Sequence, residues 1–229
     1  MLNDAKLFFV HIPKNGGTLI ENIFEDYKIG RKQPRPEKYK NSPKCGTQCN
    51  IWHYPPYFRP EINFTNYTKV FAVIRDPIDR LLSQYDYENH PKPRLNVWIK
   101  QSLEGVKADL FYWDCHFTPQ VNFLHDSYGN KIHYSNIILC DSTNFVSNID
   151  TFVKENNFKV KSYENSLPGS SGRRREGHHN RKEYPELRKQ INTKNLKLIK
   201  NFYKNDYILL SHYKNWKRIQ NLRKSVANY

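Results

Sequence analysis

Six consecutive residues, Pro13-Lys14-Asn15-Gly16-Gly17-Thr18, carry the sharpest chemical signal in the chain. Two glycines let a backbone turn tightly, so that its N–H groups and the start of a following helix face an anion. Lys14 adds a point charge and Thr18 a hydroxyl, which makes the segment a phosphate cradle by physical logic. It is not the common G-x-x-x-x-G-K-[ST] loop, because the lysine precedes the glycines. The plain alternative is a Gly-Gly turn after a strand. A second group, Arg75-Asp76-Pro77-Ile78-Asp79-Arg80-Leu81-Leu82-Ser83, offers a guanidinium and, eight residues on, a hydroxyl that can meet the same anion from another side. Taken alone it reads equally well as an Arg–Asp pair stiffening a turn. His53, amid Trp52, Tyr54, Tyr57 and Phe58, and His116 are candidate bases, since an imidazole near pH 7 is partly neutral and can take a proton from an alcohol.

These residues need a frame that brings them to one place. Lys6–Ile12 is a short aromatic and β-branched run ended by Pro13, and predicts a buried strand. Apolar residues at helical spacing predict a helix over Thr18–Phe24, so the cradle lies in a strand–turn–helix unit. Lys69–Ile74 predicts a second buried strand, with Asp76-Pro77 opening the next helix in cap-then-proline order. Arg75 then leaves the carboxyl end of a strand, where open α/β sheets bind ligands. Further helices are predicted over Leu95–Leu103, Asn144–Glu155, Thr193–Tyr203 and Tyr213–Lys224, and a third strand over Ser135–Cys140. Strands alternating with helices predict an α/β fold around a parallel sheet. Residues 28–50 read as an exposed insertion and 165–182 as a loop. With no repeat and no boundary, 1–229 reads as one domain with a basic helical portion from about 183 onward.

Composition narrows the classes. At 229 residues and 38% hydrophobic, a real core is expected, and wholesale disorder is not. No run of about 18 apolar residues exists, so no membrane span is expected. The first residues lack the features of a signal peptide, which suits a soluble cytoplasmic protein. The formal charge of +15 is uneven: residues 1–150 carry a net +2 and residues 151–229 a net +13. That excess suits nucleic acid, an acidic glycan, a phosphorylated cofactor or a membrane surface, or else is a solvated helical face. Four cysteines are too few for a disulfide scaffold. Cys45 and Cys49 could bridge in an oxidising compartment, Cys115 and Cys140 read as buried thiols, and the cysteine spacing does not suit zinc.

Together, the cradle and the Arg75–Ser83 motif resemble those of sulfotransferases that use 3′-phosphoadenosine 5′-phosphosulfate (PAPS). The pattern is most similar to the carbohydrate O-sulfotransferases that include the uronyl 2-O and chondroitin/dermatan enzymes. The resemblance continues through Trp52–Pro56, Cys115–Gln120 and Asn201–Tyr207. It implies a P-loop-like three-layer fold, with a central parallel sheet flanked by helices, and sulfuryl transfer to a carbohydrate hydroxyl by in-line displacement. In that family the loop matching Lys14, Asn15, Gly16, Gly17 and Thr18 holds the 5′-phosphosulfate, and residues matching Arg75 and Ser83 hold the 3′-phosphate. A histidine between the two motifs is the base, which implies His53, with His116 as rival or substrate-orienting residue. A late basic loop closes over the nucleotide, which makes Arg173, Arg174 and Arg175 candidates for the 3′-phosphate or an anionic acceptor. The product would be adenosine 3′,5′-bisphosphate, and no metal is implied. Family members in animals are commonly Golgi proteins, so a trimmed lumenal domain is the alternative to a cytoplasmic form. Two other classes compete. A P-loop nucleotide kinase would need the lysine after the glycines and carboxylates for magnesium. A basic nucleic-acid-binding protein would explain the C-terminal charge, but no recognition signature accompanies it.

Overall fold

A computed structural model describes residues 6–27, 29, 51–88, 93–141, 143–160 and 184–227. Three parallel strands form an open sheet in the order β1 (Leu7–Val10), β2 (Lys69–Arg75), β3 (Ile137–Cys140). The register pairs Val10 with Ala72 and Arg75 with Cys140, so the carboxyl ends of all three strands lie on one edge. Alternation along each strand sends side chains to opposite faces. Leu7, Phe9, Phe71, Val73, Ile138 and Cys140 pack under α1 (Gly17–Ile23) and α4 (Phe145–Glu155). Phe8, Val10, Val70, Ala72, Ile74 and Ile137 pack on the other face against Tyr54, Phe64, Phe123, Leu210 and Tyr213. The sheet is thus the middle of three layers. A further apolar cluster joins α2 (Pro77–Tyr87), α3 (Leu95–Ala108) and α6 (Thr193–Phe202) through Leu82, Ile99, Phe117, Ile199 and Tyr203. α5 (Tyr184–Lys189) leans on α2.

Predicted and observed elements differ where local hydrogen bonding competes. The third strand starts at Ile137 rather than Ser135, because the His133 side chain caps a 3-10 turn over Tyr134–Asn136 by accepting from the Ser135 N–H. The basic tail is not a separate element: it is the far half of α7 (Lys204–Ala227), whose start carries Asp206 into the interior. Cys115 and Cys140 are both buried. Cys45, Cys49 and the segment with Arg173, Arg174 and Arg175 lie outside the described residues. Among the described residues no helix is long and apolar enough to cross a membrane.

Candidate active site

The chain leaves β1, turns through Pro13–Gly16 and enters α1 at the carboxyl edge of the sheet. Lys14 and Gly16 both adopt left-handed backbone, with φ of 67° and 84°. A side chain on Gly16 would meet the Phe145 ring at 2.6 Å, so only glycine fits beneath α4. Gly16 caps α1 without a side-chain oxygen, which leaves the first-turn N–H groups of Gly17 and Thr18 without a side-chain cap. Asn15 turns inward and is buried. Its Nδ2 donates to Val73 O and to Gln120 Oε1, each at 2.7 Å. Its amide nitrogen therefore anchors the loop, while its Oδ1 is buried without a hydrogen-bond partner among the described residues.

Arg80 fastens the loop from below. Its fully buried guanidinium donates to Pro13 O at 2.9 Å, Thr118 O at 2.7 Å and Cys115 O at 3.4 Å. Gln120 joins the other side, accepting from the Arg75 N–H and donating to the Arg75 carbonyl. Asp206, brought by α7, in turn accepts from the Gln120 and Val121 N–H groups. The predicted cradle and the predicted guanidinium meet here: Arg75 donates from Nη1 to Lys14 O at 3.0 Å. Tyr184 of α5 lies under the Arg75 guanidinium at 5.4 Å, and Arg188 of the same helix pairs with Asp79 at 2.9 Å and Asp76 at 3.6 Å. Ser83 is half-buried on α2, about two turns on from Arg75.

The electrostatics of this corner favour an anion. Burial first, and then the neighbouring Arg75 charge, lower the Lys14 pKa to about 7. Its ammonium rests 3.6 Å from the centre of the Tyr87 ring. Two cations held together at a helix start form a site whose charge is relieved by a phosphate. Among the described residues the Tyr207 hydroxyl is buried without a hydrogen-bond partner, within electrostatic reach of Asp76, Asp79 and Arg188. A hydroxyl there can donate to an anion. Lys14, Arg75 and the start of α1 thus form a corner whose donors suit a phosphate group.

Beside the cradle three imidazoles pack in a row, His11 against His53 at 4.9 Å and His53 against His116 at 5.1 Å between ring centres. His53 Nδ1 lies 2.7 Å from Asp114 Oδ2 and His11 Nδ1 lies 2.6 Å from Glu21 Oε1. A carboxylate only accepts, so in each pair Nδ1 carries a proton, and in the neutral ring Nε2 then holds the lone pair. His116 Nδ1 lies 2.7 Å from Gln84 Oε1, and Gln84 is oriented by donating from Nε2 to Glu88. Burial, followed by the charges of His53 and Lys14, pushes the His116 pKa well below its ordinary value, which keeps that ring neutral. Asp114 reaches this cluster from an unusual backbone: Trp113, Asp114 and Cys115 all have positive φ, between 50° and 63°. Such a left-handed stretch costs on the order of 1–2 kcal/mol per residue and persists only when its surroundings hold it.

Sequence reading thus finds Lys14, Gly16, Gly17, Thr18, Arg75, His53 and His116 gathered on one edge. It misses Asp114, Gln84, Gln120, Arg80 and Asp206, which hold them. No local signal marks Asp114, which is 61 residues from the histidine it orients. Of the aromatic residues near His53 in the sequence, Tyr54 is buried and stacks on Phe111, and Phe58 packs against the same core. Tyr57, Tyr87 and Trp113 are exposed, and the Tyr87 ring centre lies 6.5 Å from that of His116.

An open parallel α/β sheet with an anion cradle, a paired cation and an oriented imidazole at its carboxyl edge suits a group-transfer enzyme. The chain matches the sulfotransferase family over residues 1–214, and it belongs to that family. No curated protein and no solved structure gives a match.

Proposed function

We propose that this chain transfers a sulfuryl group from PAPS to a hydroxyl of a carbohydrate acceptor, with His53 as general base. When bound, PAPS supplies a sulfuryl group already attached to a phosphate leaving group. Lys14, the Gly17 and Thr18 amides and the Thr18 hydroxyl hold the 5′ end, while Arg75 and Ser83 hold the 3′-phosphate. His53 takes the acceptor proton at Nε2 and Asp114 holds Nδ1–H, so the ring stays in the tautomer a base requires. His116, neutral and oriented by Gln84, positions the acceptor hydroxyl. Trp113, Tyr87 and Tyr57 offer exposed aromatic faces suited to a sugar ring. The basic Arg173–Arg175 segment is assigned to the 3′-phosphate or to an anionic glycan by its composition.

The observation that carries this reading is the His53–Asp114 pair at 2.7 Å beside a cradle where Lys14 and Arg75 are held together. A kinase reading lacks support, because Asp76 is used as the cap of α2 and Asp79 is paired with Arg188. The test is calorimetric titration with adenosine 3′,5′-bisphosphate, ATP and 5′-AMP. Selective binding of the bisphosphate is expected, and equal binding of all three would overturn the proposal.

A further inference from the structure

The histidine row has a second chemical capability that sulfuryl transfer does not use. One nitrogen from His53, one from His116 and a carboxylate oxygen of Asp114 all lie within 4.8 Å of one another. Two imidazoles and one carboxylate are a donor set for zinc and other divalent transition metals. We propose that these three side chains form a divalent transition-metal site, of the zinc class, overlapping the catalytic base.

Three features on the same edge favour it. Donor atoms around tetrahedral zinc are roughly 3.4 Å apart, so the trio must close by at most about 1.4 Å, within reach of side-chain rotation. His116 has the outer support typical of a metal-bound imidazole: Nδ1 is held by Gln84, which is itself fixed by Glu88, so Nε2 is directed by a built hydrogen-bond chain. Asp114 is already held within the cluster by its 2.7 Å contact with His53 Nδ1. Three ligands leave one position for water or an acceptor oxygen, as in open zinc sites.

Metal binding here is independent of the reading as a sulfotransferase; its consequence rests on that reading. Coordination by both His53 and Asp114 displaces the Nδ1 proton they share and so dismantles the pair that prepares His53 as the base. It therefore inhibits transfer, in competition with the acceptor and not with the nucleotide.

The test uses tag-free full chain, stripped with a chelator and titrated with cobalt(II) alone, followed by visible absorption. The expected result is the intense absorption of four- or five-coordinate cobalt, saturating at one equivalent and abolished by adding zinc(II). Asp114→Asn and His116→Gln each lower apparent affinity by at least tenfold, and Gln84→Leu, which spares all three ligands, lowers it by about 10–100-fold. Circular dichroism confirms that each variant is folded, and the Gln84 variant keeps the test decisive if one ligand variant is not. Weak six-coordinate absorption, no saturation, or a spectrum indifferent to all three substitutions would overturn the site. Bisphosphate titration of the same stripped protein separates the two questions: nucleotide binding without cobalt binding removes the metal site alone.

Discussion

Exchanging Lys14 for methionine keeps most of the stem and removes the charge, and the consequences can be worked out from the site. With a pKa of about 7, lowered by burial and then by Arg75, roughly half the lysines are protonated at pH 7 and about one in ten at pH 8. A phosphate placed against the amine restores the charged form. Binding of adenosine 3′,5′-bisphosphate should therefore take up about 0.9 proton at pH 8, about 0.5 at pH 7 and about 0.1 at pH 6 from this residue. At pH 8 the ligand's own phosphates, with second pKa near 6, are already ionised and do not mask the uptake. The assay is titration calorimetry in buffers of different ionisation enthalpy, whose slope is the proton number. In Lys14→Met the slope at pH 8 should fall close to zero. The linkage has a second side. The unfolded chain, with its lysine near 10.5, binds more protons than the folded one between about pH 7 and 10.5, so stability rises with pH across that window. The cost of holding Lys14 is full below pH 7, of order 4 kcal/mol, and Lys14→Met should raise the melting temperature at pH 7 while weakening binding. A slope near zero in the wild type with binding intact, or the same slope in both proteins, would refute this account of the cradle.

Three other outcomes are expected. Asp114→Asn removes the acceptor that fixes the His53 tautomer and should lower kcat by about 10²-fold while leaving the bisphosphate Kd unchanged, as read from steady-state kinetics and calorimetry; a matching loss in Kd would make Asp114 merely structural. Arg80→Ala leaves the Pro13, Thr118 and Cys115 carbonyls without their buried donor and should cost about 3–5 kcal/mol in urea unfolding, whereas a loss under about 1 kcal/mol would show that the loop does not hang on it. Gly16→Ala should destabilise by at least about 1 kcal/mol from backbone strain alone, more from the Phe145 contact, and Phe145→Leu should recover part of the second share in a double-mutant cycle.

What was legible in the sequence follows from how far each interaction reaches. β1, the turn and α1 announce themselves within about twenty residues, because strand burial, glycine conformation and helical periodicity are local causes. Arg75 was readable for the same reason: it closes an apolar strand and precedes a strong N-cap at Asp76, whose carboxylate accepts from the Ile78 and Asp79 N–H groups. The side chains that hold these pieces in place were not readable, since each acts across a long sequence gap. Gln120 reaches Asn15 over 105 residues and Asp206 reaches Gln120 over 86. α7 was half seen for a related reason. Its basic outer half has the look of a solvated helix, while its first turns place Leu209 and Leu210 side by side and bury Asp206, a pattern set by the neighbours it packs on.

The same logic explains why the site tolerates so much unfavourable chemistry. A left-handed run at Trp113–Cys115, a fully buried Arg80 and a lysine held near neutrality each cost folding free energy, and none lies far from the histidine row. Strain of this kind survives only where the surrounding structure over-determines it. Here the over-determination is visible. Arg80 binds the cradle and the Cys115–Thr118 segment at once, Gln120 binds Asn15 and Arg75 at once, and Asp206 fixes Gln120. Removing any one of these links should move Lys14 and Asp114 together, because both are tied to the same buried guanidinium through their adjacent residues Pro13 and Cys115. On the proposed reaction, geometry for the leaving group and geometry for the base are then one structural variable, which is what a single displacement between two bound partners requires.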